Sequence, residues 1–234
     1  LILDNDLAFV LRFADGGYML YGAMGGVALG LLCCAKVHKT SFKALADAVA
    51  PAAALMIAIA RAAECMTGAG IGWSVDSEVL HFFPIAVMNE WEEWKFAVFA
   101  WEAVVALGLT IHLLLRRAKK LPTVEPFLIV YATTQLLMES LRKDDVMSFG
   151  FVKVSMLISA ILLAGIVVRR LVKRARGAWW TLAGLLAGLG GVIALEFALD
   201  KSTIANELLY GVMAVIVAGL CWGLLKGGRG ATKV

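Results

Sequence analysis

Charge is scarce in this chain. Asp, Glu, Lys and Arg make up 17% of its 234 residues, against about a quarter in a soluble globular domain. Hydrophobic residues reach 61% and mean hydropathy is +0.84, which excludes an ordinary soluble fold. Histidine occurs three times and cysteine four times. Cys33, Cys34, Cys65 and Cys221 lack the paired spacing of a metal site, so neither a metal nor another cofactor is expected. Three of these cysteines fall inside apolar stretches, where they read as packing residues. Catalysis by a Ser-His-Asp or Cys-His arrangement is not supported, because His81 reads as a loop residue and His112 as interfacial. The chain begins at Leu1 and shows no charged, apolar, small-residue leader pattern. Helices preceding Leu1 are therefore left open.

What the sequence has instead is long apolar runs. Seven are at or near the roughly 20 residues that a bilayer crossing takes. They lie at about 18–35, 45–63, 96–115, 124–141, 149–168, 178–197 and 206–225. The expectation is an all-α, polytopic integral membrane protein of seven transmembrane helices. Lys/Arg clusters occupy every second loop: Lys36–Lys43, Arg116–Lys120, Arg169–Arg176 and the tail after Lys226. The positive-inside rule puts these in the cytoplasm, with the N-terminal end of this chain outside and the C-terminus inside. The net charge of +4 thus reflects topology, and no nucleic-acid partner is expected. Residues 64–95 carry glycines, His81-Phe82-Phe83 and the run NEWEEWKF. That mix of charge and aromatics predicts an interfacial helix or small cap at the outer surface. Gly22, Gly26 and Gly30 recur at steps of four, as in closely packed membrane helices. Pro51 is expected within the first two turns of its helix, where proline costs least.

One apolar stretch is interrupted in a regular way. Tyr131, Gln135, Glu139 and Arg142 recur at steps of four, four and three, which puts them on one helical face. Such a stripe must face other helices or a wet cavity. The topology gives it company in the outer half of the membrane: Tyr21, Arg61, Glu64, Glu102 and Lys153. An ionisable side chain in hydrocarbon costs on the order of 2–3 kcal/mol or more, so this cluster marks a candidate site. Arginines at headgroup depth can hold a phosphate with paired hydrogen bonds, and a nearby carboxylate can take a proton. The same cluster also suits simple helix–helix ion pairs.

Three stretches give the chain a family likeness. Gly16–Gly26 (GGYMLYGAMGG), Ala44–Gly72 and Tyr131–Asp145 resemble, in order and spacing, the motifs of the prolipoprotein diacylglyceryl transferases. The matching positions are Gly16, Gly17, Gly22, Gly26, Asp47, Ala50, Pro51, Arg61, Tyr131, Glu139, Arg142 and Asp145. Trp101-Glu102-Ala103 resembles the family's Tyr-Glu-Ala. Tyr21 stands at the family's histidine, Glu64 at its asparagine and Gln135 at an arginine. The resemblance implies residues 1–176 as a transferase-like transmembrane domain, with its outer cap at about 64–95. Residues 177–234 then form two additional helices. It also implies a bacterial plasma-membrane location, with a phosphatidylglycerol-like phospholipid and a lipoprotein precursor as partners. The implied reaction moves a diacylglyceryl group to an exported prolipoprotein cysteine or an altered acceptor. Tyr21, Glu139 and Glu64 are then the candidate catalytic residues, and Arg61, Arg142, Glu102, Gln135, Tyr131 and Gly22 the candidate substrate-binding ones. The alternative readings are a non-catalytic lipid- or peptide-binding membrane subunit of a complex and, less favoured, a transporter.

Overall fold

The computed structural model describes residues 20–143, 148–149, 152–173, 177–201 and 206–227. Gly16, Gly17 and Asp145, which carry part of the family likeness, and the Tyr21 side chain lie outside the described residues. Seven helices form in the expected order: α1 (Leu20–Val37), α2 (Phe42–Ala63), α3 (Val98–Ala118), α4 (Val124–Leu141), α5 (Val154–Val172), α6 (Ala178–Lys201) and α7 (Asn206–Gly227). Five helical stretches, in α2, α3, α5, α6 and α7, are long and apolar enough to cross a membrane. The polar stripe on α4 lowers its hydropathy below theirs. The chain divides into two compact units, Leu1–Leu45 and Ala46–Val234. The first holds α1 and the start of α2; all that follows concerns the second.

Its core lies among α4, α5, α6 and α7. Ile129 and Leu136 of α4 pack with Leu163 and Val167 of α5, Leu185 and Val192 of α6, and Met213 and Val217 of α7. Away from this core, large apolar side chains such as Met56, Val104, Ile161 and Val215 are exposed. In a helix of this length that is the pattern of a lipid-facing surface.

Two departures from the expected all-helical architecture concern the loops. Residues 64–97 hold a β-hairpin, β1 (Ala86–Met88) with β2 (Trp94–Phe96), rather than an interfacial helix. The turn explains it. Asn89 Oδ1 accepts from the Trp91 and Glu93 amides at 3.0 and 2.8 Å, and Glu92 has φ 59°. An Asx-type turn of this kind stops a helix before it starts. Lys95 Nζ lies 2.9 Å from Glu93 Oε2. That bond, with a second from Asn89, holds the Glu93 carboxyl below the usual carboxylate range. The second departure is a short hairpin, β3 (Ser148–Phe149) with β4 (Val152–Lys153). It delays the start of α5 to Val154.

His81 is not simply a loop residue: its ring stacks on Trp94 at 5.0 Å and its Nε2 bonds the Val75 carbonyl at 3.0 Å. The strip from Ile71 to Val75 runs between β2 and the end of α4. Gly72 N donates to Phe96 O at 2.8 Å and Val75 N to Trp94 O at 2.8 Å. On the other side, Trp73 N donates to Leu141 O at 3.2 Å and Lys143 N to Ile71 O at 3.3 Å. A Cβ at Gly72 would meet Leu141 O at 2.7 Å and Phe96 Cβ at 2.9 Å. Glycine is therefore required for this strip to reach α4.

At the opposite end of α4 the fastening is more specific. Because α2 starts at Phe42, Pro51 falls in the helix interior, not in its first two turns. Proline has no N–H to give the carbonyl four residues earlier, which is that of Asp47. The Thr123 hydroxyl donates to that carbonyl instead, at 2.5 Å. The Asp47 carboxylate, in turn, accepts from the Thr123 and Val124 amides at 2.7 and 2.8 Å. One helix thus supplies the N-terminal cap of another, and places a negative charge at its positive end.

Two substitutions test these fastenings. Asp47→Ala removes the acceptor of two α4 amides and is expected to destabilise the fold by about 1–2 kcal/mol, read as a lowered unfolding temperature in detergent. Gly72→Ala is expected to cost about 1–3 kcal/mol through overpacking and to speed proteolysis of the 64–97 segment; unchanged cleavage would show that the strip is held elsewhere.

Candidate functional site

Five of the expected residues meet where α2, α3 and α4 come together. Arg61 lies in the last turn of α2, and Glu64 opens the 3₁₀ turn that follows it. Glu102 projects from the second turn of α3, while Gln135 and Arg142 come from α4 and its C-cap. Glu102 is the hub. Its Oε2 lies 2.7 Å from Arg142 Nη1 and 3.2 Å from Arg61 Nε. The second of these is an ion-pair contact without hydrogen-bond geometry. Its Oε1 accepts from Gln135 Nε2 at 2.7 Å. Glu64 closes the ring. Its Oε1 accepts from Arg61 Nη1 at 2.5 Å and from Arg142 Nη2 at 3.5 Å, and its Oε2 lies 3.4 Å from Arg142 Nη1.

The charge balance explains how this cluster is tolerated. Two guanidiniums face two carboxylates, so the group is neutral. The Glu102 side chain is 2% exposed, those of Arg61 and Arg142 are 10% and 8%, and that of Glu64 is 19%. Glu64 is thus the member nearest an opening. Glu102 sits deepest, where it orients both arginines. Fully buried ion groups are costly unless paired and hydrogen-bonded, and each of these four has at least two charged neighbours.

The remaining expected residues divide. Tyr131 is buried on α4, stacked on Phe127 with ring centroids 6.1 Å apart. It lines a small void with Glu102 and Gln135. Glu139 does not join the ion cluster. It is buried, its Oε2 has no hydrogen-bond partner among the described residues, and it lines a separate cavity of about 620 Å³. Arg142 borders that cavity as well, and its carbonyl accepts from Lys153 Nζ at 2.6 Å. Tyr21 and Gly22 belong to α1 in the first unit. No group of three or more His, Cys, Asp or Glu with metal-binding geometry occurs among the described residues.

Residues that sequence reasoning did not assign to the site also matter. Asp47 and Thr123 set the height of α4, and Gly70 and Gly72 bring the strip against it. Gly70 has φ +69°, and a Cβ there would collide with the Glu64 carboxylate and meet Phe99 Cβ at 2.8 Å. The alternation Gly68-Ala69-Gly70-Ile71-Gly72 was visible, but its target, the Glu64 side chain, was not. A broad, mainly apolar groove of about 1140 Å³ lies beside this point, between Cys65, Met66, Phe83, Val87, Phe99 and Val104.

Comparison with known proteins bears on these residues directly. The family model for prolipoprotein diacylglyceryl transferase matches residues 3–172. The chain is 30% identical over 181 residues to the phosphatidylglycerol–prolipoprotein diacylglyceryl transferase of Listeria monocytogenes serotype 4a, covering 72% of this chain and 65% of the relative. It is 26% identical over 164 residues to the corresponding transferase 2 of Clostridium perfringens, covering 69% and 64%. A Staphylococcus saprophyticus relative is 28% identical over 170 residues, covering 69% and 61%. The chain therefore spans less than two thirds of the length of each of these relatives. No solved structure matches. Arg61, Glu64, Glu102, Gln135 and Arg142 all fall inside the matched residues, whereas α6 and α7 lie beyond them. With 3–172 covered by a single family model, the chain belongs to the prolipoprotein diacylglyceryl transferase family.

Proposed function

We propose that this protein binds phosphatidylglycerol in the membrane and transfers its diacylglyceryl group to the cysteine thiol of an exported prolipoprotein. The observation that carries the reading is the neutral ring of Arg61, Glu64, Glu102 and Arg142 inside the family-matched region. A phosphodiester arriving at this ring competes with Glu64 for the two guanidiniums, which Glu102 keeps aligned. Two arginines can neutralise the phosphate and stabilise it as it leaves. The thiol sulfur forms a bond to the terminal glyceryl carbon of the diacylglyceryl group. The bond between that carbon and the phosphate oxygen breaks. Phosphate departs with its glycerol as glycerol phosphate, and the thiol proton passes to a carboxylate. Glu64, the most exposed acid of the ring, suits that role, with Glu139 as the second acid on α4. Gln135 holds Glu102 where the family carries an arginine, and Tyr21 stands at the family's histidine. The groove beside Cys65 and Phe99 is of a size and polarity to take acyl chains. Tyr131 completes the proposed substrate contacts, and Gly22 stands at a glycine of the family motif.

The same reading carries the topology. All seven helices span the bacterial plasma membrane, the α2–α3 segment forms a small outer cap, and the C-terminus is cytoplasmic. Residues 1–176 form the transferase-like domain, and 177–234 add two helices to it.

Expression in a bacterium depleted of its own transferase tests the activity. Lipoprotein modification is expected to return, and to fall roughly 30-fold or more, about 2 kcal/mol, with Arg61→Lys or Arg142→Lys. Good expression with no modification would sink the transfer step; phosphatidylglycerol still retained on purification would then favour a non-catalytic lipid-binding subunit. For the topology, a membrane-impermeant thiol reagent should label Cys65 in intact cells when it is the sole cysteine. A cysteine at Lys119 should be labelled only after lysis; the reverse pattern would invert the orientation.

A further inference from the structure

The cavity on the far side of Arg142 shares Arg142 and Glu139 with the transfer site proposed above, but the rest of its wall is not used there. It measures about 620 Å³ and is lined by Glu139, Arg142, Lys153, Glu196, Asn206 and Tyr210, with Met156 and Leu199 as apolar wall. That volume falls in the range of small-molecule sites, about 300–1,000 Å³. Glu196 and Leu199 come from α6, and Asn206 and Tyr210 from α7, both beyond the residues that the family model matches. The C-terminal helix pair therefore completes a chamber that the family-matched residues only begin.

We propose that this chamber binds the headgroup of an amine-bearing, zwitterionic glycerophospholipid, with its ammonium at Glu139 and Glu196 and its phosphate toward Lys153. Glu139 is 7% exposed and its Oε2 has no hydrogen-bond partner among the described residues. A buried carboxylate oxygen without a partner is costly. An ammonium supplies one positive charge and three donors, which suits a pair of acids. Arg142 and Lys153 border the same cavity, and their positive charges oppose a bare divalent ion there. Lys153 lies in the same wall, so a ligand carrying both signs fits better than a simple cation. Met156 and Leu199 suit the glycerol end, and the chamber sits at the helix ends, where headgroups lie. A lysine side chain of a peptide would bring the cation without the anion.

The test uses the full chain in detergent, with native mass spectrometry of bound lipid. Three probes are compared: short-chain phosphatidylethanolamine, its N-acetylated derivative and short-chain phosphatidylglycerol. Phosphatidylethanolamine is expected to bind about tenfold more tightly than the derivative, which keeps the phosphate and loses the ammonium. Glu196→Gln is expected to abolish that preference while leaving phosphatidylglycerol retention unchanged. The last result separates this site from the ring at Arg61, whose failure would show in the phosphatidylglycerol arm alone. Equal binding of the amine and its acetylated form by the unmodified protein overturns the proposal, whether or not the variant folds. So does displacement by a lysine-bearing peptide in the absence of any preference for phosphatidylethanolamine.

Discussion

Glu102 meets Arg142, Arg61 and Gln135 at one buried point, and the arrangement of α2, α3 and α4 rests on that meeting. A carboxylate at this depth is tolerable only because two guanidiniums and an amide surround it. The arginines are likewise tolerable only because Glu102 and Glu64 are there. Removing any member leaves an uncompensated charge in an apolar setting, which is far costlier than the net worth of the pairs themselves. The ring therefore functions as a specification of register more than as a source of stability. It permits one relative height of the three helices and no other.

A second consequence concerns function. Residues that must release a ligand cannot be buried irretrievably, and the exposure of the ring is graded. Glu102 is sealed, whereas Glu64 is within reach of solvent. In the transfer proposed above, the inner carboxylate keeps the arginines in place while the outer one gives way to the incoming phosphate. Preorganisation of this kind places the reorganisation energy in folding and not in the chemical step.

Much of this was legible in the residues. Seven apolar runs gave seven helices in order, and the periodicity of Tyr131, Gln135 and Arg142 marked the polar face of α4. The alternating topology brought Arg61, Glu64 and Glu102 to the same depth, and the family motifs then included them. Glu139 shows where periodicity stops. At about 100° per residue, Arg142 comes back to within about 20° of Gln135 after seven residues, whereas Glu139 stands about 40° to the side. That offset is enough to turn it from the α2–α3 side toward α6 and α7, whose position no local pattern encodes. The hairpin at Ala86–Phe96 was missed because aromatic-acidic composition suits a helix or a turn equally, until Asn89 is seen to bond its own backbone. Likewise Thr123 carried no visible signal: its partner, the carbonyl released by Pro51, is 76 residues away in sequence.

The Asp47 cap acquires a wider meaning beside the ion ring. α2 and α4 run in the same direction, joined at their starts by Asp47 and Thr123 and near their ends by the Arg61–Glu64–Arg142 contacts. Asp47 and Arg61 are fourteen residues apart, about 21 Å along a helix. With both ends pinned, the two helices form a ruler of fixed length. An inserted or deleted residue between the pins would turn one end by about 100° relative to the other, so this stretch of α2 can vary in composition but not in length. Two walls of the ion ring are thus immovable with respect to each other.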